Sequence, residues 1–336
     1  MTPRVLVLLA WLLLAAGWAG PAAAETPGLL GQSLPPDFRP FHPESAWNKP
    51  IAVDAPVYPL SAAIMKRMAE VAGPLKADSA RWSIPLYVVD ADKARRDTVW
   101  FTKDPNPLVD QLGVGFVEGV PLPPGIEPDP EDDGHMLVVD PKKMVSWDLS
   151  RARYVRGKGW EASRFDVWDL TGMGERRPFT GPTWWTYGAR GSGFPLIAGL
   201  VRPEQILLGE INQALVFASP LTRKSSGPEG PKELCPPASR TDGTVTGPDS
   251  IPMGARLQLD PDLDLDSLNL SPEVRVIARA LQVYGMFNGD TTHDVFKIYF
   301  QNLGRSSLAW VGMDFSSLKN IPLDRFRMLD CPLAFK

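Results

Sequence analysis

Residues 135–149, His135-Met136-Leu137-Val138-Val139-Asp140-Pro141-Lys142-Lys143-Met144-Val145-Ser146-Trp147-Asp148-Leu149, hold two short apolar runs parted by an Asp-Pro break. His135 to Val139 and Lys143 to Leu149 are too short for helices and carry the branched and aromatic side chains that fit a pleated surface, so both read as strands. The same signature extends outward to Ile84–Val89, Thr98–Thr102 and Gly113–Val117 on one side. On the other side it covers Ile211–Ala218, Ala255–Leu259, Val295–Phe300 and Leu308–Met313. Helical spacing appears at Leu60–Val71, in a short helix opened by Arg202-Pro203-Glu204-Gln205, and from Pro272 to Met286. In the last of these Ser271 is the N-cap, and Val274, Ile277, Ala278 and Leu281 form the buried stripe. The stretch 150–195 has no clean period and reads as long ordered loops. Strands and helices do not alternate, which argues against a doubly wound sheet or an α/β barrel. The expected fold is mainly β, a β-sandwich or jelly-roll-like body with about three decorating α-helices and long loops.

Composition agrees. Of 336 residues, 35 are proline and 29 glycine, about a fifth of the chain. Proline costs about 3 kcal/mol in a helix interior, so a bundle of long helices is excluded. Hydrophobic residues make up 44% and charged residues 22%, too apolar a balance for a disordered chain. A net charge of -4 supplies no basic surface for counterion release, and nucleic acid is not an expected partner. Arg4, an apolar run from Val5 to Trp18 and Ala22-Ala23-Ala24 form a secretory signal over residues 1–24, with cleavage after Ala24. No later run is long enough to span a bilayer, so a secreted or periplasmic protein without membrane insertion is expected. Residues 25–58 read as an extended, proline-broken N-terminal arm packed on a single β-rich domain of residues 59–336. In an oxidising compartment the two cysteines, Cys235 and Cys331, are expected to bridge, two buried thiols being the alternative.

Most catalytic signatures fail. Arg190 stands where a nucleophile elbow around Ser192 needs its first glycine, and Glu118 where Gly113-Val114-Gly115 needs the third glycine of a dinucleotide fingerprint. Asp262, Asp264, Asp266 and Glu273 fall at the spacing of a calcium loop, but Ser267 replaces the glycine of its sharp turn. Ca²⁺ is therefore a weak alternative, and no cofactor is expected.

Two constellations remain. Asp133 two residues before His135 at a strand mouth is an arrangement that orients an imidazole as general base or metal ligand, a solvated acidic turn being the alternative. A hairpin of the two opening runs would bring Asp148 beside His135, because inward positions recur every second residue. Trp147, Trp160, Trp168, Trp184 and Trp185 crowd one stretch of chain. Beside Arg and Asp their faces suit sugar rings, and core packing is the alternative. Trp184 and Trp185 stand as a stacking platform, with Trp47 and Asn48 as further substrate-binding candidates. Glu204 or Asp148 would supply an acid, and Arg190 or Arg202 a carboxylate clamp.

Trp47-Asn48-Lys49-Pro50-Ile51, Asp133-Gly134-His135-Met136 and Gly193-Phe194-Pro195-Leu196-Ile197-Ala198-Gly199-Leu200-Val201-Arg202-Pro203, with residues 254–257, 270–272 and 280–285, resemble a family of secreted bacterial proteins with no established activity. The resemblance covers most of the mature chain and implies export and one domain, but no reaction. Such relatives carry histidine where this chain has Gln213 and Arg240, and glutamate where it has Asp148. Convergence of those positions on His135 would mark a weakened or non-catalytic member. The function expected from the residues is action on an extracellular polysaccharide, by glycoside hydrolase-like hydrolysis or polysaccharide lyase-like β-elimination. The alternative is a non-catalytic glycan-binding or cell-envelope-associated protein.

Overall fold

The computed structural model of the protein describes residues 26–102, 115–176, 188–224, 233–304, 309–310 and 312–331. Among these the strands form three sheets. Sheet 1 runs β1 (Leu29–Gly31), β3 (Ile84–Val89), β6 (Met136–Asp140), β7 (Val145–Ser150), β10 (Arg164–Asp169), and β15 (Gln301–Asn302) also pairs with β3. Sheet 2 runs β16 (Phe326–Met328), β12 (Arg256–Leu259), β13 (Met286–Thr291), β11 (Leu215–Ser219), β14 (Lys297–Tyr299), β2 (Lys76–Asp78). Sheet 3 runs β5 (Phe116–Pro121), β4 (Arg96–Phe101), β9 (Gly159–Ala162), β8 (Arg153–Val155).

Alternation along each strand fixes how the sheets stack. In β3 and β6, Leu86, Val88, Leu137 and Val139 enter one core with Val216 and Ala218 of β11, while Val89, Met136 and Val138 enter another with Val99 of β4 and Trp160 of β9. Sheet 1 is therefore the middle layer, with sheet 3 on one face and sheet 2 on the other. The opposite parity of β11, Leu215 and Phe217, packs with α1 (Ser61–Ala72) and α3 (Pro272–Val283), between which the chain forms the short α2 (Pro203–Leu208). The mainly β fold with few helices matches the expectation. Its layers differ from a jelly roll in carrying parallel pairs, β3 with β6, β11 with β13, β14 with β2 and β4 with β9.

The region 150–195, expected as loops, instead contributes β8, β9 and β10. These strands are short and salted with charge, and Arg153 and Lys158 pair with the buried Glu161 at 2.6 and 2.5 Å, so their apolar alternation is broken in the sequence. The helix expected to reach Met286 ends at Val283, because Met286 opens β13. No strand forms at 309–310 or 312–313; the closing strand is β16, against β12. Cys235 and Cys331 form the expected disulfide, with Cα atoms 5.7 Å apart. Among the described residues no helix is long and apolar enough to cross a membrane. The expected signal, residues 1–24, lies outside the described residues.

Candidate active site

The site begins with the register of sheet 1. Leu137 faces Asp148 across β6 and β7, Asp148 faces Asp166 across β7 and β10, and Ser150 faces Arg164. His135, one residue before β6, falls two positions from Leu137 and so on the same face. Ser150, Arg164, Asp148 and Asp166 thus share with His135 the face that sheet 2 covers. The hairpin anticipated from the sequence is present, with Asp148 one inward step, about 7 Å, further along than His135.

The opposite wall comes from distant segments. Asp290 and Thr291 end β13, and Tyr299 ends β14. Gly191 and Gly193 let the segment Ser239–Asp242 approach: a Cβ on Gly191 would overlap the Asp242 carboxylate, and one on Gly193 the Ser239 hydroxyl. Ser192 O then accepts from the backbone N–H of Ser239 and of Arg240, at 3.0 and 3.3 Å. The two walls enclose a polar cavity of about 240 Å³, lined by His135, Ser150, Ser163 and Tyr299, by Arg151, Arg164 and Arg240, and by Asp133, Asp242, Asp290 and Thr291.

His135 is 4% exposed, and its Nε2 lies 3.2 Å from Ala189 O. A carbonyl can only accept, so Nε2 carries the proton and Nδ1 the lone pair. Nδ1 is buried and has no hydrogen-bond partner. Burial pulls the imidazole below its ordinary 6.5, against the opposing charge of Asp133. Asp133, expected to orient the ring, is solvent-exposed at the pocket edge, and the Ala189 carbonyl takes that role.

Arg190 lies behind this wall, fully buried, 3.7 Å from Asp290 and with its guanidinium 4.3 Å from the Tyr299 ring centre. Asp290 accepts from Gly191 N at 2.6 Å. Burial raises the Asp290 carboxyl despite the charge of Arg190. Burial, with the Asp290 charge, also holds the Tyr299 phenol well above 10. Asp242 meets solvent at the mouth, yet the surrounding protein and the charge of Asp290 push its carboxyl up to about 6. Arg240 is pulled down to about 10 by burial and by Arg164.

Beneath the pocket, Asp148 is fully buried, accepting from Leu196 N at 2.6 Å and from the Ser146 hydroxyl at 3.2 Å. Burial first, then the charge of Asp166, pushes it up to about 7. Asp166 pairs with Arg176 at 2.9 Å, and Arg176 lies over the Trp168 ring at 4.2 Å.

The other sequence candidates lie elsewhere. Arg202 and Glu204 form a buried pair at 3.0 Å that clamps the N-terminal arm, Glu204 accepting from Leu34 N and Arg202 donating to Phe38 O. Neither lines the pocket. Trp47 is a core residue, edge-on to Phe194 and Phe287, and Asn48 binds the backbone of Pro40, Phe41 and His42. Both therefore fix the arm and do not line the cavity. Gln213 is buried against Leu200 O, outside the cavity, whereas Arg240 lines it with His135. Trp160 and Trp168 are buried, while Trp184 and Trp185 lie outside the described residues. In the calcium-like segment, Asp264 caps its own turn by accepting from Asp266 N at 2.9 Å, and Asp266 pairs with Arg275. Sequence reasoning missed Tyr299, Asp290 and Asp242. Tyr299 falls in Val295–Phe300, which reads as a core strand, Asp290 closes β13, a strand absent from the sequence reading, and Asp242-Gly243 reads as a turn. Comparisons of the chain with protein-family models, with curated proteins and with solved structures give no match.

Proposed function

We propose that the protein is an exported enzyme that cleaves an extracellular glycan in this pocket, with His135 as general base. The observation that carries the reading is the His135 Nδ1 lone pair, buried and unpartnered in the tautomer that Ala189 imposes, on a ring that lines the same cavity as Tyr299. The downward shift of His135 keeps the imidazole neutral at pH 7, able to accept a proton, and the Tyr299 phenol, protonated at pH 7 and hydrogen-bonded to Asp290, is a proton donor in the same cavity. A cavity with hydroxyl, guanidinium and carboxylate groups on every side suits a hydroxyl-rich ligand better than an apolar one. Hydrolysis is a second reading, favoured by Asp242: at about 6 its carboxyl is suited to protonate a leaving oxygen near neutral pH.

The test is incubation of the mature protein with neutral and uronic-acid polysaccharides, followed by assay for new chain ends. Cleavage of at least one polymer is expected. His135→Ala should lower turnover about 100-fold or more while glycan binding persists. Wild-type activity should fall in acid, with a midpoint below the ordinary 6.5 of an imidazole, as His135 takes up its proton. No cleavage of any polymer, with binding retained, would leave a non-catalytic glycan-binding protein instead.

A further inference from the structure

Three guanidinium groups meet in the cavity from both of its walls. Arg151 follows β7 directly, Arg164 opens β10, and Arg240 reaches in from the segment that begins at the disulfide. The Arg151 charge bears on Arg164, and the Arg164 charge on Arg240, so repelling cations follow one another from the sheet 1 wall to the opposite one. Asp133 and Asp290 line the cavity with His135 and Tyr299, and the Asp133 charge reaches all three of those groups. Like charges brought together from two walls cost folding energy that a ligand of opposite charge would offset further. Asp166, outside the cavity lining, and Asp242, within it, bear on both Arg164 and Arg240 and offset part of the repulsion, as Asp290 does for Arg240.

Resting on the glycan reading, we infer that the sugar bound here is a uronic acid, with its carboxylate against Arg164 and Arg240, and that its glycosidic bond is broken by β-elimination. Guanidinium groups suit a carboxylate because their forked donors match its two oxygens. Neutralising that carboxylate acidifies the adjacent C5–H bond. His135 Nδ1 takes the C5 proton, the C5–H electron pair becomes the C4=C5 double bond, and the C4–O bond breaks with its electrons on oxygen. The Tyr299 phenol protonates that oxygen, and the imidazolium proton restores the phenol through solvent. The step consumes no water and needs no metal or redox partner for its balance.

The test compares a uronic-acid polysaccharide with the same polymer after its carboxyl groups are reduced to hydroxymethyl, both in oxygen-18-labelled water. Cleavage of the native polymer is expected to give an unsaturated, ultraviolet-absorbing uronate end without label, and the reduced polymer should stay intact. Arg164→Ala and Arg240→Ala should each raise KM for the native polymer about ten-fold or more, with partial recovery in the lysine variants. Equal cleavage of the reduced polymer, or oxygen-18 in the new ends, overturns the uronate inference while leaving the glycan reading in place. Failure to cleave any polymer overturns both.

Discussion

The two faces of sheet 1 are both buried, yet they are built from opposite materials. Towards sheet 3, Val89, Met136, Val138, Leu149 and Phe165 meet Val99, Val120, Trp160 and Ala162 in an apolar seam. Towards sheet 2, Leu86, Val88, Leu137 and Val139 begin as core, but at the β7 and β10 end the same face carries Ser146, Asp148, Ser150, Arg164 and Asp166. Burying apolar area stabilises at about 25 cal/mol per Å². Burying a carboxylate costs several kcal/mol unless partners restore its interactions. The sheet thus gains its stability on one face and accepts that cost at one corner of the other, and the cavity with the unpartnered His135 Nδ1 is at that corner.

The contrast breaks most visibly on the apolar side. Phe165→Ala is expected to cost about 3–5 kcal/mol, through lost transfer energy and a residual cavity. Urea unfolding would read it, and the pH dependence of stability should keep its wild-type shape, because no titrating group is touched. A loss below about 1 kcal/mol would mean that sheet 3 is not held by this seam.

How far each face was legible in the sequence follows from the same contrast. The hairpin of β6 and β7 was readable because Leu137, Val138, Val139 and Val145 announce strand, and α3 because Ser271 and Pro272 mark its start. Ser146, Asp148 and Asp166 follow an alternation that usually means a half-solvated strand. Nothing local says that sheet 2 covers their face, so their burial was hidden. His135 could be singled out beside an acidic loop, but its partners Asp290 and Tyr299 lie more than 150 residues away and arrive only through the stacking of layers. Arg202, Glu204, Trp47 and Asn48 carry the same chemistry in the sequence as a binding site. Their work proved to be tying down the arm, a choice that depends on which segment they meet.

On the polar face the sharpest expected change is with pH. Asp148 is raised from 3.8 to about 7, so between those values the folded chain holds a proton that the unfolded chain has released. Stability therefore falls as pH rises across that window, by at most roughly 4 kcal/mol from this group, and levels off above it. Asp148→Asn should flatten that fall. Its amide oxygen can still accept from Leu196 N, and its amide nitrogen can donate to the Ser146 oxygen. Relative to wild type the variant should be close to neutral below pH 3.8 and more stable above pH 7, as read from urea midpoints across the range. Asp166 and Asp290 titrate upward as well, so the difference between the two proteins is the quantity to compare. An unchanged difference at all pH values would mean that Asp148 is ionised throughout and that the polar corner is better solvated than its burial implies.

The smallest expected effect isolates a single hydrogen bond on that face. Ser146 donates its hydroxyl to Asp148 Oδ1, two residues along the same strand and on the same side. A donor of this kind favours the ionised carboxylate, so Ser146→Ala should raise the Asp148 pKa further and steepen the loss of stability towards high pH. Below pH 7, where Asp148 is mostly protonated, the lost bond is neutral and should cost roughly 0.5–1 kcal/mol. Above pH 7 it is charge-assisted, and the cost should grow to roughly 1–2 kcal/mol. In an Asp148→Asn background the pH dependence of the Ser146 effect should vanish, since nothing remains at position 148 to ionise. If it persists there, Ser146 acts through some other group, and the carboxylate pair Asp148 and Asp166 is not what sets the pH response of this face.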